Sequence, residues 1–279
     1  MHDPVSVAGL APLAGLLVLL ELAVGTTAAA YMVDLIARVG RGFVGTTAAI
    51  CAALMGVDVV IAAAVPADTR LLGGPLSAGA MSSLVHWSIA FTLVLAGYAI
   101  FCAVGTDIAR RIVGGATLAI GAVVVGKAAV AFGPAVGGAG AAAVAFAPAT
   151  IVVGTTLAGM LLGHWYLVAP SLSFRPLRRA IDLVFGAVAL QALVIGVVIA
   201  AATSGTRDLL LHADYALPFW LLVVGAGIVF TTAVAVLTRY FARIRANQPA
   251  TAMLYVLIIS AAMGTVPAHL IFFVTGSPV

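Results

Sequence analysis

Residues 163–182, GHWYLVAPSLSFRPLRRAID, leave one apolar run, cross a loop and enter the next. His164, Trp165 and Tyr166 close the first run, Pro170 breaks it, and Arg175, Arg178 and Arg179 fill the loop before Asp182 opens the second run. The chain changes solvent within this stretch. It contains no catalytic motif of recognised mechanism, so its first message is topological.

On both sides of it the sequence is almost featurelessly apolar. Of 279 residues, 64% are hydrophobic and only 8% charged, against roughly 25% charged in soluble domains, and the mean hydropathy is +1.24. A bilayer core about 30 Å thick takes about 20 apolar residues per helix, whereas a barrel would show short alternating segments. The long runs therefore predict an all-α integral membrane protein in a lipid bilayer. Eight apolar segments are legible, near 8–36, 43–65, 79–104, 111–132, 146–169, 180–203, 215–240 and 250–274. The Gly/Ala-rich run PAVGGAGAAAVAFAP before segment five reads equally as a loop, a re-entrant turn or an early helix start. Little is left for an extramembranous domain, so a single transmembrane domain is expected, and the first segment is expected to be retained because it runs too long for a cleaved signal.

The arginines orient the segments. Loops after segments one, three, five and seven carry Arg38, Arg41, Arg110, Arg111, Arg175, Arg178, Arg179, Arg239, Arg243 and Arg245, while the opposite loops carry Arg70 and Arg207 with Asp68, Asp208, His212 and Asp214. By the positive-inside rule this predicts a multi-pass protein of the bacterial inner membrane with both termini outside. VGTT recurs at 24–27 in segment one and 153–156 in segment five, which suggests two tandem four-helix bundles in parallel orientation, with halves near 1–135 and 136–279. VGTT also occurs at 44–47, in a helix of opposite direction. Cys51 and Cys102 are isolated and carry no metal-binding spacing. No basic run with interleaved aromatics points to nucleic acid.

Ionisable groups at membrane depth are costly and usually face a bundle interior or a cavity. Asp58, His86, Lys127 and His269 share a level near the outer ends of their helices, a set fit to bind and deprotonate a quinol or, through His86 and His269, to hold one haem b. Haem is the only metal centre the sequence would accommodate, and those two histidines would be its ligands. The plainer alternative has Lys127 snorkelling, Asp58 pairing with it, and each imidazole on a backbone carbonyl. An inner candidate combines His164, Trp165 and Tyr166 with Arg178 or Arg179, which can hold an anionic head group or a partner's carboxylate. Its aromatic residues serve equally as interface anchors, and Asp182 is spaced for an ordinary pair with Arg179. Glu21 falls near mid-membrane and Asp34 near an inner end. His2 and His212 lie outside the segments.

The eight-helix, four-plus-four plan without a soluble domain resembles the NrfD and polysulfide-reductase type of membrane subunit in bacterial respiratory complexes. The resemblance lies in overall plan and carries no motif. It implies a quinone-interacting subunit of an oxidoreductase complex that anchors iron–sulfur or molybdenum partner subunits, with Asp58, His86, Lys127 and His269 nearest the quinone. Two other classes stay open from the residues themselves: a transporter or channel with a proton or cation path through Glu21, Asp34 and Asp58, and a non-catalytic scaffold or assembly subunit.

Overall fold

The computed structural model describes residues 7–66, 69–169, 172–211 and 215–279. Eight helices among them are long and apolar enough to cross a membrane: α1 (Val7–Ala37), α2 (Arg41–Ala64), α3 (Ala78–Val104), α4 (Asp107–Phe132), α5 (Ala139–Val168), α6 (Arg175–Ala201), α8 (Ala216–Arg243) and α9 (Asn247–Thr275). A short α7 (Ser204–Leu211) precedes α8, and a two-stranded hairpin, β1 (Arg70–Leu71) with β2 (Gly74–Pro75), links α2 to α3. The all-α, eight-helix expectation holds. Asp68, Pro170, His212, Asp214 and His2 lie outside the described residues.

Helix ends follow from local chemistry. Ser77 and Thr106 accept hydrogen bonds from the Ala80 and Ala109 amides, capping first-turn donors that have no intrahelical partner. The Gly/Ala-rich run before segment five resolves as a 3₁₀ turn, Gly133–Val136, followed by an early start of α5 at Ala139. Pro148 lies inside that helix. At the end of α6, Arg207 donates to the carbonyls of Ile199, Ala200 and Ala202. The arginine of this loop thus satisfies helix-end acceptors that would otherwise face an apolar boundary.

Helices α1 and α5 are the most buried of the eight and pack against each other. α1 also contacts α2, α4, α6 and α9, and α5 contacts α4, α6 and α9, so each central helix packs against helices from both halves of the chain. The approach between them is set by two glycines. A β-carbon on Gly25 would overlap the Thr150 carbonyl, and one on Gly154 would overlap the Gly25 backbone. Lipid offers no hydrophobic drive between helices, so small residues that admit close backbone contact supply the packing. Gly25 and Gly154 are the glycines of the two VGTT tetrads.

A second glycine pair, Gly227 and Gly264, brings α8 against α9. Between Phe219 and Phe230, α8 is a π-helix, a wide form that is rare and concentrates at functional sites. Thr231 Oγ1 donates to Ala226 five residues back and lies 2.9 Å from Ser260 Oγ of α9.

Gly25→Val is expected to lower the melting temperature of the detergent-solubilised protein sharply, since overpacking at a rigid contact costs about 1–3 kcal/mol or more. Gly126→Ala, at a position with nothing within 4 Å of the added carbon, should leave melting unchanged or slightly raised. Equal effects at the two positions would remove Gly25 from the centre of the packing.

Candidate functional site

The most deeply buried ionisable pair joins the two halves of the chain. His269 Nε2 of α9 lies 2.8 Å from Glu21 Oε2 of α1, and both side chains are only 1% exposed. Side chains tilt towards the N-terminus of their own helix. Glu21 and His269 sit on helices of opposite direction, so they lean towards each other across the interior. Phe146 of α5 meets the imidazole edge-on at 5.7 Å between centroids. Phe146, Thr150 and Gly154 repeat every four residues, so one stripe of α5 carries the ring against His269 and the surface against Gly25. Thr150 Oγ1 is committed to the Phe146 carbonyl, leaving the pair without a second hydroxyl from that stripe.

The pair is not closed. Glu21 Oε1 and His269 Nδ1 are both buried without a hydrogen-bond partner. His269 also borders a cavity of about 20 Å³ among α5, α6, α8 and α9, lined by Gln191 and Thr265 with apolar neighbours. Gln191 Oε1 is likewise unpartnered. A cavity of this volume takes one water-sized group and lies far below the roughly 300 Å³ of organic-ligand pockets. Pro267, two residues before His269, lies inside α9 and has no N–H to donate to its helix beside this site.

The expected outer constellation does not converge. The cavity that His269 lines contains none of Asp58, His86 or Lys127. His86 is exposed on α3, and its Nδ1 lies 2.6 Å from the Ser82 carbonyl one turn back. An exposed imidazole and a buried one, held by different partners, do not form an axial pair in this arrangement. Asp58 is fully buried beside Ser88 of α3, yet neither carboxylate oxygen nor the Ser88 hydroxyl completes a hydrogen bond. Lys127 is half-buried and makes no ion pair with Asp58 among the described residues. The shared depth of these residues was legible in sequence, but not that Asp58 and His269 are buried while His86 is exposed.

At the arginine-rich end the structure separates two clusters. In the first, Asp34 Oδ2 accepts from Arg110 Nη1 at 2.6 Å, both side chains nearly buried, and Asp34 Oδ1 accepts the Gly40 amide at 3.1 Å. Gly40, with φ 111°, and Arg38, with φ 52°, turn the chain from α1 into α2 there. Arg41 pairs with Asp107 at 3.0 Å and donates to the Gly105 carbonyl. Asp34 is thereby a structural anchor at this end.

The inner candidates divide as well. Tyr166 is buried, its hydroxyl donating to the Ser173 carbonyl at 2.5 Å and accepting the Leu177 amide, with Phe174 stacked on its ring. It fastens the loop that opens α6. Trp165 packs edge-on against Phe43, and exposed His164 makes a long contact, 3.4 Å, with Tyr255 Oη. Asp182 pairs with Arg179 at 3.6 Å, as its spacing predicts, and more closely with Arg239 of α8. Arg178 is exposed and joins Arg175, Arg243 and Arg245 around a cleft.

The Glu21–His269 contact had only weak sequence signals: the chain's single Glu in the middle of a span and a proline beside a histidine. Gln191 gave none beyond its polarity.

Arg110→Ala is expected to destabilise the protein by about 3–5 kcal/mol, because it leaves the Asp34 carboxylate buried and uncompensated. The double replacement Asp34→Leu with Arg110→Leu should cost less than the two single changes summed, read as melting temperatures in detergent. Strict additivity would show that the pair is not coupled. No protein-family model matches this sequence, and no curated protein matches it, so the geometry of these residues carries the functional reading.

Proposed function

We propose that this chain is a multi-pass membrane protein that moves protons through its own helix bundle, with Glu21 and His269 as the shared carrier. The observation that carries the reading is a carboxyl–imidazole contact of 2.8 Å at 1% exposure in which each partner keeps one unpartnered atom. Burying such groups is expensive, and a purely structural pair would gain by satisfying both ends. The open ends leave each partner one atom free to take or to give a proton. His269 takes a proton on Nδ1 from the side of the Gln191 cavity and releases the Nε2 proton to Glu21 Oε2. Glu21, a carboxylate at the start, holds that proton until its carboxyl group turns and releases it on the Oε1 side, and the neutral imidazole, now carrying its proton on Nδ1, turns its ring to present an N–H to Glu21 again.

In this reading the arginine-rich end faces the cytoplasm, and a duplicated four-helix unit explains why the two VGTT tetrads meet at the centre. Asp58 beside Ser88 is a second proton-holding position within the first half.

Purified protein in liposomes under a potassium diffusion potential should carry protons, read with an internal pH dye. Glu21→Gln and His269→Phe should each reduce the flux by about a hundredfold, the low end of the effect of a positioned proton carrier. Wild-type flux no higher than that of protein-free liposomes, or full flux in Glu21→Gln, would overturn the proposal.

A second reading, a quinone-interacting subunit of a respiratory complex, is favoured by a different observation. A cleft of about 220 Å³ opens between the ends of α2 and α3, lined by Ala62, Leu76, Met81, Ser82 and Val85 among others. Asp58 lies one turn below Ala62, and His86 one turn below Ser82. A photoreactive quinone should label this cleft, and His86→Ala should reduce labelling, if this reading holds. The absorption spectrum of the purified protein separates both readings from a cytochrome: a b-type Soret band lost in both His86→Ala and His269→Ala would make the chain an electron carrier.

A further inference from the structure

Two of the pockets at the arginine-rich end differ in how their charges are used. Around the first, Arg41 and Arg110 are engaged by Asp107, Asp34 and the Gly105 carbonyl. Around the second, a cleft of about 480 Å³, Arg175 and Arg178 of the α6 start face Arg243 and Arg245 of the α8 end. No carboxylate lines this cleft, and none of its four arginine side chains has a hydrogen-bond or ion-pair partner among the described residues. Asp182, further along α6, is held by Arg179 and Arg239. Four like charges converge where none of the described residues neutralises them.

We propose that this cleft is a binding site for a phosphate group, with an anionic phospholipid head group as the source its surroundings favour. Guanidinium forks match phosphate oxygens in paired hydrogen bonds, and basic pockets at the ends of spanning helices suit anionic head groups. Apolar surface suited to acyl chains adjoins the charges: Leu172 and Phe174 line the cleft, and Ile244, between Arg243 and Arg245 in sequence, is exposed. The loop that presents the arginines is built rather than loose. Tyr166 fastens it through Ser173 and Leu177, and Phe174 stacks on Tyr166. Arg245 is held at φ 58°, in a turn closed by the Ala246 amide donating to the Phe241 carbonyl. The helix start itself contributes little. Pro176 has no N–H, and the Leu177 and Arg178 amides are bonded to the Tyr166 hydroxyl and the Phe174 carbonyl. The side chains, not the amides of α6, therefore hold the anion. This site is independent of the Glu21–His269 reading.

Native mass spectrometry of the intact protein with added phosphatidylglycerol or phosphatidylcholine tests the assignment. Wild type should retain phosphatidylglycerol in preference, and Arg178→Gln with Arg243→Gln should bind it about thirtyfold more weakly. The control, Arg38→Gln with Arg111→Gln, removes the same charge from the same end and should keep the preference. Both variants change exposed side chains, and their melting temperatures verify folding. Inorganic phosphate that binds wild type, but not the cleft variant, in the absence of any lipid preference would assign the site to a soluble phosphate. An unchanged lipid preference in the cleft variant, or an equal loss in the control, would overturn the proposal.

Discussion

The backbone contact between Gly25 and the α5 surface around Thr150 and Gly154 fixes the separation of the two central helices, and the other contacts are measured from it. With α1 and α5 this close, α9 fits against both, and His269 arrives within hydrogen-bond reach of Glu21 with Phe146 against its ring. A side chain at Gly25 would push the helices apart by more than such a contact tolerates. The tetrads and the buried pair are therefore parts of one arrangement: close packing without side chains in the middle creates the enclosed space that the charged groups occupy one turn away.

The two ends of the bundle solve the same problem by different chemistry. Exposed helix-terminal carbonyls and amides need partners. At the arginine-poor end Arg207 covers the last carbonyls of α6, and the hairpin packs Gly73 against the Pro134 carbonyl. At the arginine-rich end Asp34 ties Gly40 and Arg110 together, so one buried carboxylate sets both the α1–α2 turn and the start of α4. These arginines do more than report orientation. Some are structural fasteners, and four in the second half are left over.

Much of the fold was legible because a bilayer imposes length and composition on every span. The segment boundaries fall within a few residues of the helices, apart from α5, where Gly and Ala disguised a helix as a linker, and α6, whose amphipathic first turns carry the loop arginines. Depth was also legible, but azimuth was not. His86 and His269 differ by which face of an almost uniformly apolar helix they occupy, and such helices have no polar stripe from which to read it. For the same reason depth alone sets Asp58 level with Lys127, whereas the residue beside it is Ser88. The partnership of Glu21 with His269 needed the α1–α9 contact, which joins residues 248 positions apart.

The π-helical stretch of α8 changes how that helix connects its ends. Residues 219–230 wind more loosely than the α-helix that follows, so the span stores an offset between the face lining the cavity, with Val223 and Gly227, and the face carrying Arg239 to Asp182. Losing a single residue from an ordinary α-helix turns everything beyond it by about 100°, whereas this stretch can absorb the loss by relaxing towards ordinary winding. The guanidinium would then keep its carboxylate while the cavity wall shifted. In α8, length and rotation are thus separate variables, and the cavity at one end is phased to the ion pair at the other by the pitch of the helix between them.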